Sequence, residues 1–175
     1  MELRTDRLIL CSVCLKDVPV LVEYFTEPIW REQILWFQRD ASFMRKLLTS
    51  VALGKLHSEK TGFHLAVSLE KSGELLGACF LQHIASGVSK LGWHFGQRHS
   101  GRGYASECTR ELLRHCREIG RARVIAHCFP GNAAGQNVLK KCGFVLEKLT
   151  LFERVMLSVK YMQLKAIVSW IQSTQ

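Results

Sequence analysis

The sequence predicts an α/β domain on a mixed, mostly antiparallel sheet of seven strands. Three observations carry that reading. Phe63, Leu65, Val67 and Leu69 alternate as a half-buried strand, Ser72-Gly73 turns, and strand-type runs follow over Glu74–His83 and Val88–Phe95. After Gly101–Gly103, Ala105, Cys108, Leu112, Cys116 and Ile119 recur at helical spacing with Arg and Glu on the other face, and Gly120 closes that helix. A buried-type strand over Arg123–Phe129 then leads into a short helix marked by Ala134, Val138 and Cys142. Strands alternating with helices in this way define the α/β class.

The remaining elements fill in around this frame. Thr5–Cys11 reads as the opening strand. Asp17 can cap a helix over Val18–Thr26, with Pro19 tolerated in its first turn and Pro28 after its end. Asp40 can cap a second helix, with apolar positions 43, 44, 47, 48 and 51 and Gly54 near its close. Ile29–Arg39, between them, holds Trp30, Trp36 and Phe37. Phe144–Phe152 and Val155–Met162 read as a closing hairpin, and Gln163–Gln175 has no clear pattern. With no repeat, no low-complexity tract and three prolines in all, residues 1–175 read as one domain.

Charge and cysteines narrow the class. Lys and Arg number 24 against 15 Asp and Glu, a formal charge of +9 that favours an anionic partner. The seven cysteines are odd in number and scattered through apolar patterns, so they read as small core residues in a reducing cytoplasm. Cys11-x-x-Cys14 has no second pair at zinc spacing, and no metal is expected. No apolar run reaches the roughly 18 residues of a membrane span, and the N-terminus lacks a signal-peptide h-region.

The chemistry concentrates in Phe95-Gly-Gln-Arg98-His99-Ser100-Gly101-Arg102-Gly103-Tyr104-Ala105, where a strand meets a glycine loop that opens a strong helix. Glycines let successive N–H groups face one point, and the helix N-terminus adds partial positive charge, so the segment forms an anion seat suited to a pyrophosphate. Arg98 and Arg102 lie in the loop as candidate phosphate contacts. A Walker A loop would need a Lys-Ser/Thr pair that is absent, and a dinucleotide fingerprint would need glycine where Ser106 stands.

Arg98-x-x-Gly101-x-Gly103 resembles the acyl-CoA pyrophosphate loop of the GCN5-related N-acetyltransferase superfamily. Thr5-Asp6-Arg7-Leu8-Ile9-Leu10, Leu91-Gly92-Trp93-His94-Phe95 and the stretch from Asn132 to Phe144 resemble, in order, motifs of its ribosomal-protein N-terminal acetyltransferase branch. The resemblance implies a sheet splayed in the middle, with helices on both faces and an opening between the strands that end at Phe95 and Phe129. Acetyl-CoA would be the acyl donor. Its diphosphate would rest on Arg98, His99, Ser100, Gly101, Arg102, Gly103, Tyr104 and Ala105, and its pantetheine would meet the backbone at Phe95 and the side chain of Asn132. The implied reaction is direct attack of an amine, either a peptide N-terminus or a small molecule such as a polyamine.

The chain departs from the branch at the proton-handling positions. Lys90 stands where a Glu is common, Gly135 where Ser would protonate the leaving thiolate, and Leu139 where other branches place Tyr. His94, on the expected acetyl-site strand, is the candidate base, with His83 on the neighbouring strand. Trp30, Trp36 and Phe37 could line an acceptor pocket or cap the core, and Glu27, Glu32 and Asp40 are the acids nearby. The competing classes are a non-catalytic acyl-CoA-binding module and a nucleic-acid binder. The second lacks a helix-turn-helix partner and a stacking platform, so nucleic acid is expected only through a ribosome. Monomer and homodimer are both compatible with the sequence.

Overall fold

The structure, a computed structural model, describes residues 1–30, 40–56, 61–128, 131–146 and 168–173. In chain order these form β1 (Glu2–Arg4), β2 (Leu8–Ser12), α1 (Val18–Phe25), α2 (Ala41–Ala52), β3 (Gly62–Leu69), β4 (Leu75–Ala85) and β5 (Val88–Phe95). There follow α3 (Tyr104–Glu118), β6 (Arg123–Cys128), α4 (Ala133–Lys141), β7 (Val145–Leu146) and β8 (Val168–Ser173).

The strands make one mixed sheet in the order β1-β2-β3-β4-β5-β6-β8-β7. Every pair is antiparallel except β5–β6, which is parallel with α3 as its crossover. The described residues hold eight strands where the sequence suggested seven. The expected opening strand, Thr5–Cys11, starts only at Leu8 as β2, an unexpected β1 precedes it, and the tail supplies β8, which inserts between β6 and β7. Of the expected closing hairpin only Val145–Leu146 falls on described strand, and Val155–Met162 lies outside the described residues, as do Trp36, Phe37 and Phe129.

Two apolar layers flank the sheet. On one face Leu8, Leu10, Leu65, Leu91 and Phe95 pack against Tyr104, Cys108, Leu112 and Cys116 of α3 and Leu139 of α4. On the other, Ala66 and Ala78 meet Val18, Leu21 and Val22 of α1 and Met44 and Leu48 of α2. Each fully buried leucine contributes roughly 1.5–3 kcal/mol relative to exposure. Asp40 caps α2 as its position suggests, its Oδ1 accepting from Phe43 N at 2.8 Å. Asp17 does not cap α1 in this way. Its carboxylate turns back to accept from Cys14 N at 2.9 Å, closing the preceding 3-10 turn.

Gly77 of β4 pairs with Phe95 of β5. A Cβ there would collide with the His94 carbonyl oxygen and lie 2.7 Å from Phe95 Cα, both backbone atoms that cannot rotate away. We expect Gly77→Ala to cost about 3 kcal/mol by forcing the two strands apart, read as a lowered denaturation midpoint. An unchanged midpoint would show that the pair has slack.

Candidate active site

The parallel register of β5 with β6 runs from Val88↔Arg123 to Leu91↔Ala126. Beyond it lie Gly92–Phe95 on β5 and His127–Cys128 on β6, so the sheet opens at its centre. On its other edge β5 stays paired with β4 through Phe95, and β6 stays paired with β8 through Cys128. The opening is therefore framed by strands that are each held on their outer side.

At the end of β5 the chain makes a 3-10 turn over Gln97–His99 and enters the glycine loop. Gly101 and Gly103 adopt φ of 77° and 82°, the left-handed region that glycine enters without a Cβ penalty. Nothing lies within 4 Å of where a Cβ would stand on Gly101, so space opens above the loop. The α3 ladder begins with Glu107 N to Gly103 O, which leaves the amides of Tyr104, Ala105 and Ser106 without an acceptor inside the helix. An open cradle beneath first-turn amides suits a diphosphate.

Side chains fasten both ends of this loop. At its start Tyr24 of α1 accepts from Arg98 Nη2 at 2.6 Å, and its hydroxyl lies 3.0 Å from Leu75 O and 3.1 Å from His99 Nε2. Arg98 Nε donates to His99 Nε2 at 3.0 Å, and Gln97 N donates to Glu27 Oε2 at 2.8 Å. His99 is buried, and burial, opposed by Glu74 and aided by Arg98 and Arg102, lowers its pKa and favours the neutral ring. Arg98 thus has Nε and Nη2 engaged by His99 and Tyr24 while its side chain stays largely exposed.

At the far end Glu107 of α3 gathers Thr5 and Arg7. Thr5 Oγ1 donates to Glu107 Oε1 at 2.5 Å, Arg7 N to the same oxygen at 3.1 Å, and Arg7 Nε to Oε2 at 2.7 Å. Arg7 Nη1 also donates to Arg102 O at 3.2 Å, and the guanidinium stacks 4.8 Å from the Tyr104 ring centroid. Burial works against ionisation of Glu107, yet the Thr5 and Arg7 hydrogen bonds outweigh it and hold the carboxyl below its ordinary range. Thr5 and Arg7 therefore have a physical task in tying β1 and β2 to the loop.

Of the expected residues, Phe95 ends β5, and Arg98 to Ala105 run without a break through the 3-10 turn and the glycine loop into the first turn of α3. Asn132 sits at the head of α4, its Oδ1 accepting from Gly135 N at 2.8 Å. A Cβ on Gly135 would stand 2.9 Å from Cys128 Sγ and 3.0 Å from Asn132 Nδ2, so a Ser at this position would crowd both side chains. Burial pushes the Cys128 thiol up to about 11.

His94 is buried on the α1 face of β5. Its Nε2 donates to the Tyr24 carbonyl at 2.9 Å and its ring stacks 4.1 Å from that of Phe25. Burial pulls its pKa to about 4 against the opposing Tyr24 bond, so the ring is neutral at pH 7. His83 Nδ1 lies 2.9 Å from Ser89 Oγ, away from the opening. One residue escaped the sequence reading: His127 on β6, whose Nδ1 is buried with no hydrogen-bond partner among the described residues. The available signal was a lone polar residue in the apolar Val124–Cys128 run.

A mixed sheet that opens at a parallel pair, with a glycine loop and helix N-terminus at the mouth, defines an acyl-CoA-dependent transferase scaffold. The family model described as Acetyltransferase (GNAT) domain matches residues 7–145. The chain belongs to that acetyltransferase family, whose enzymes carry out acetyl-CoA-dependent N-acetylation. It is 26% identical over 151 residues to the uncharacterized N-acetyltransferase p20 of Bacillus licheniformis, covering 84% of each chain. It superposes on an acetyltransferase (GNAT family) from Bacillus anthracis with a TM-score of 0.80 at 19% identity, covering 99% of this chain and 98% of that one. RimL, a ribosomal L7/L12 α-N-protein acetyltransferase solved with coenzyme A, gives a TM-score of 0.79 at 17% identity over 99% and 98% of the two chains. No helix among the described residues is long and apolar enough to cross a membrane.

Two outcomes follow from this geometry. With a folded pKa of about 4 against 6.5 unfolded, His94 binds fewer protons in the native state. Stability then falls as pH drops from about 6.5 to about 4, by roughly 2–3 kcal/mol for this residue. His94→Gln keeps a donor toward Tyr24 and should flatten that limb in denaturant titrations at stepped pH. An unaltered limb would remove His94 from the acid response. Gly135→Ser should lose about 1–3 kcal/mol by overpacking, and Cys128→Ala should recover most of it in the double variant. Additive losses in that thermal-melt cycle would show that Cys128 is not what excludes the side chain.

Proposed function

We propose that this chain transfers the acetyl group of acetyl-CoA to a primary amine, with a protein N-terminus as the acceptor. One observation carries the reading: the open glycine cradle at the N-terminus of α3 sits where β5 runs on past its last pair with β6. The seat suits the diphosphate, and the formal charge of +9 favours an anionic donor. The pantetheine would lie along the opening as an added strand on β5, reaching Phe95 and Asn132. Similarity to RimL supports the choice of acceptor. The seven free cysteines fit a reducing compartment such as the cytoplasm.

In the reaction the neutral amine attacks the thioester carbonyl, the C–N bond forms, the C–S bond breaks and CoA leaves as thiolate. Backbone N–H groups near Phe95 would steady the developing oxyanion. His94 acts as a strut, since its Nε2–H holds the end of α1 against β5. Gly135 and Leu139, which supply no proton to the thiolate, favour a competing reading of a CoA-binding module without turnover.

Both readings require the seat. Gly101→Trp fills open space with a side chain that meets no neighbour near its Cβ, at a folding cost of about 1–2 kcal/mol for the left-handed backbone. Calorimetry with acetyl-CoA should show binding by wild type and at least about tenfold weaker binding, a loss of about 1.4 kcal/mol, by the folded variant. Acetyl transfer from acetyl-CoA to the N-terminal decapeptide of ribosomal protein L7/L12, or to spermidine, separates enzyme from module. Equal binding by the two proteins would move the diphosphate elsewhere.

A further inference from the structure

The opening has a second histidine, and its surroundings are unlike those of His94. Val124, Ala126 and Cys128 belong to the core beneath α3 and α4, so strand alternation puts Ile125 and His127 on the opposite face of β6. That is the face on which β5 presents Lys90 and His94. His127 follows Ala126, the last β6 residue paired with β5, and so stands at the root of the opening. Its Nδ1 is buried and has no hydrogen-bond partner among the described residues, whereas Nε2 of His94 is committed to Tyr24. A buried nitrogen left without a partner is uncommon and calls for an explanation, a catalytic role being one.

We infer that the His127 imidazole is the proton shuttle of the acetyl transfer, taking the proton that the amine nitrogen loses and returning it to the CoA thiolate. As the C–N bond forms, one proton passes from nitrogen to the ring. As the C–S bond breaks, the same proton passes from the imidazolium to sulfur, so the products are amide and CoA thiol with no net change in the protein. Burial first, and then the Lys90 cation, pull the His127 pKa down to about 4. The resting ring is therefore neutral, and its low pKa makes taking the amine proton the uphill half of the exchange. Its protonated form is a far stronger acid than a thiol, which ordinarily titrates near 8.5, so return to the thiolate is downhill. One residue then does the work of the base missing at Lys90 and of the acids missing at Gly135 and Leu139. The inference rests on the acetyltransferase reading of the same site.

The test uses the full chain, with His127→Gln, His127→Ala and His94→Gln, and three readouts. Thermal melts and acetyl-CoA calorimetry should leave both His127 variants folded, with affinity within about threefold of wild type. Single-turnover transfer, to whichever of the L7/L12 decapeptide and spermidine wild type uses, should fall by about 10²–10⁴-fold in the His127 variants. It should stay within about tenfold of wild type in His94→Gln. Added imidazole should restore His127→Ala by at least about tenfold and leave wild type unchanged, a rescue that a packing role would not give. Transfer by His127→Gln at the wild-type rate, or no rescue of a folded His127→Ala, would overturn the shuttle. Acetyl-CoA binding without transfer by wild type would also overturn it while leaving the donor seat standing. Failure of wild type to bind acetyl-CoA would overturn the acetyltransferase reading and the shuttle with it.

Discussion

The structure depends on one departure from sheet regularity, the end of β5–β6 pairing at Leu91↔Ala126. Strands that part forgo ladder hydrogen bonds, and such a gap normally frays or closes. Here the two sides are stiffened from outside. β4 follows β5 to its last residue, and β8 covers β6 along its whole length from Arg123 to Cys128. The gap becomes a cleft whose two walls are each braced from their outer side.

The glycine loop at the mouth is fixed by the same logic. Residues with φ near +80° make good anion cradles but are poorly restrained by their own backbone. The chain adds the restraint with side chains from two unrelated places, Tyr24 and Glu27 beneath the start and Thr5 and Arg7 around Glu107 at the end. A seat held before the ligand arrives loses less conformational freedom on binding, so affinity comes from preorganisation as well as from contacts.

The legible part of this arrangement was local. The 63–95 meander, α3 and the loop were readable because alternation, 3.6-residue spacing and paired glycines each operate within a few residues. The Thr5–Glu107 bond joins groups 102 positions apart, and no local pattern announces it. Asp17 was read as a helix cap because its position allows that, but a nearer amide, Cys14 N, takes its carboxylate. β8 was invisible because its place is dictated by β6 and not by its own pattern. His94 and His127 share a face, and only the hydrogen-bond partners of their rings tell them apart.

The strand order carries a consequence for how the molecule is assembled in time. β7 precedes β8 in the chain, yet β8 is the strand that lies against β6, with Val145 and Leu146 reaching the sheet only through Ile171 and Trp170. One wall of the cleft therefore cannot be completed until a segment that starts 40 positions after the end of β6 has been made and has closed its loop. A β5 edge with no finished opposite wall is exposed to wrong pairing during that interval. The rate at which β8 docks should set how fast newly made chains become able to hold their donor.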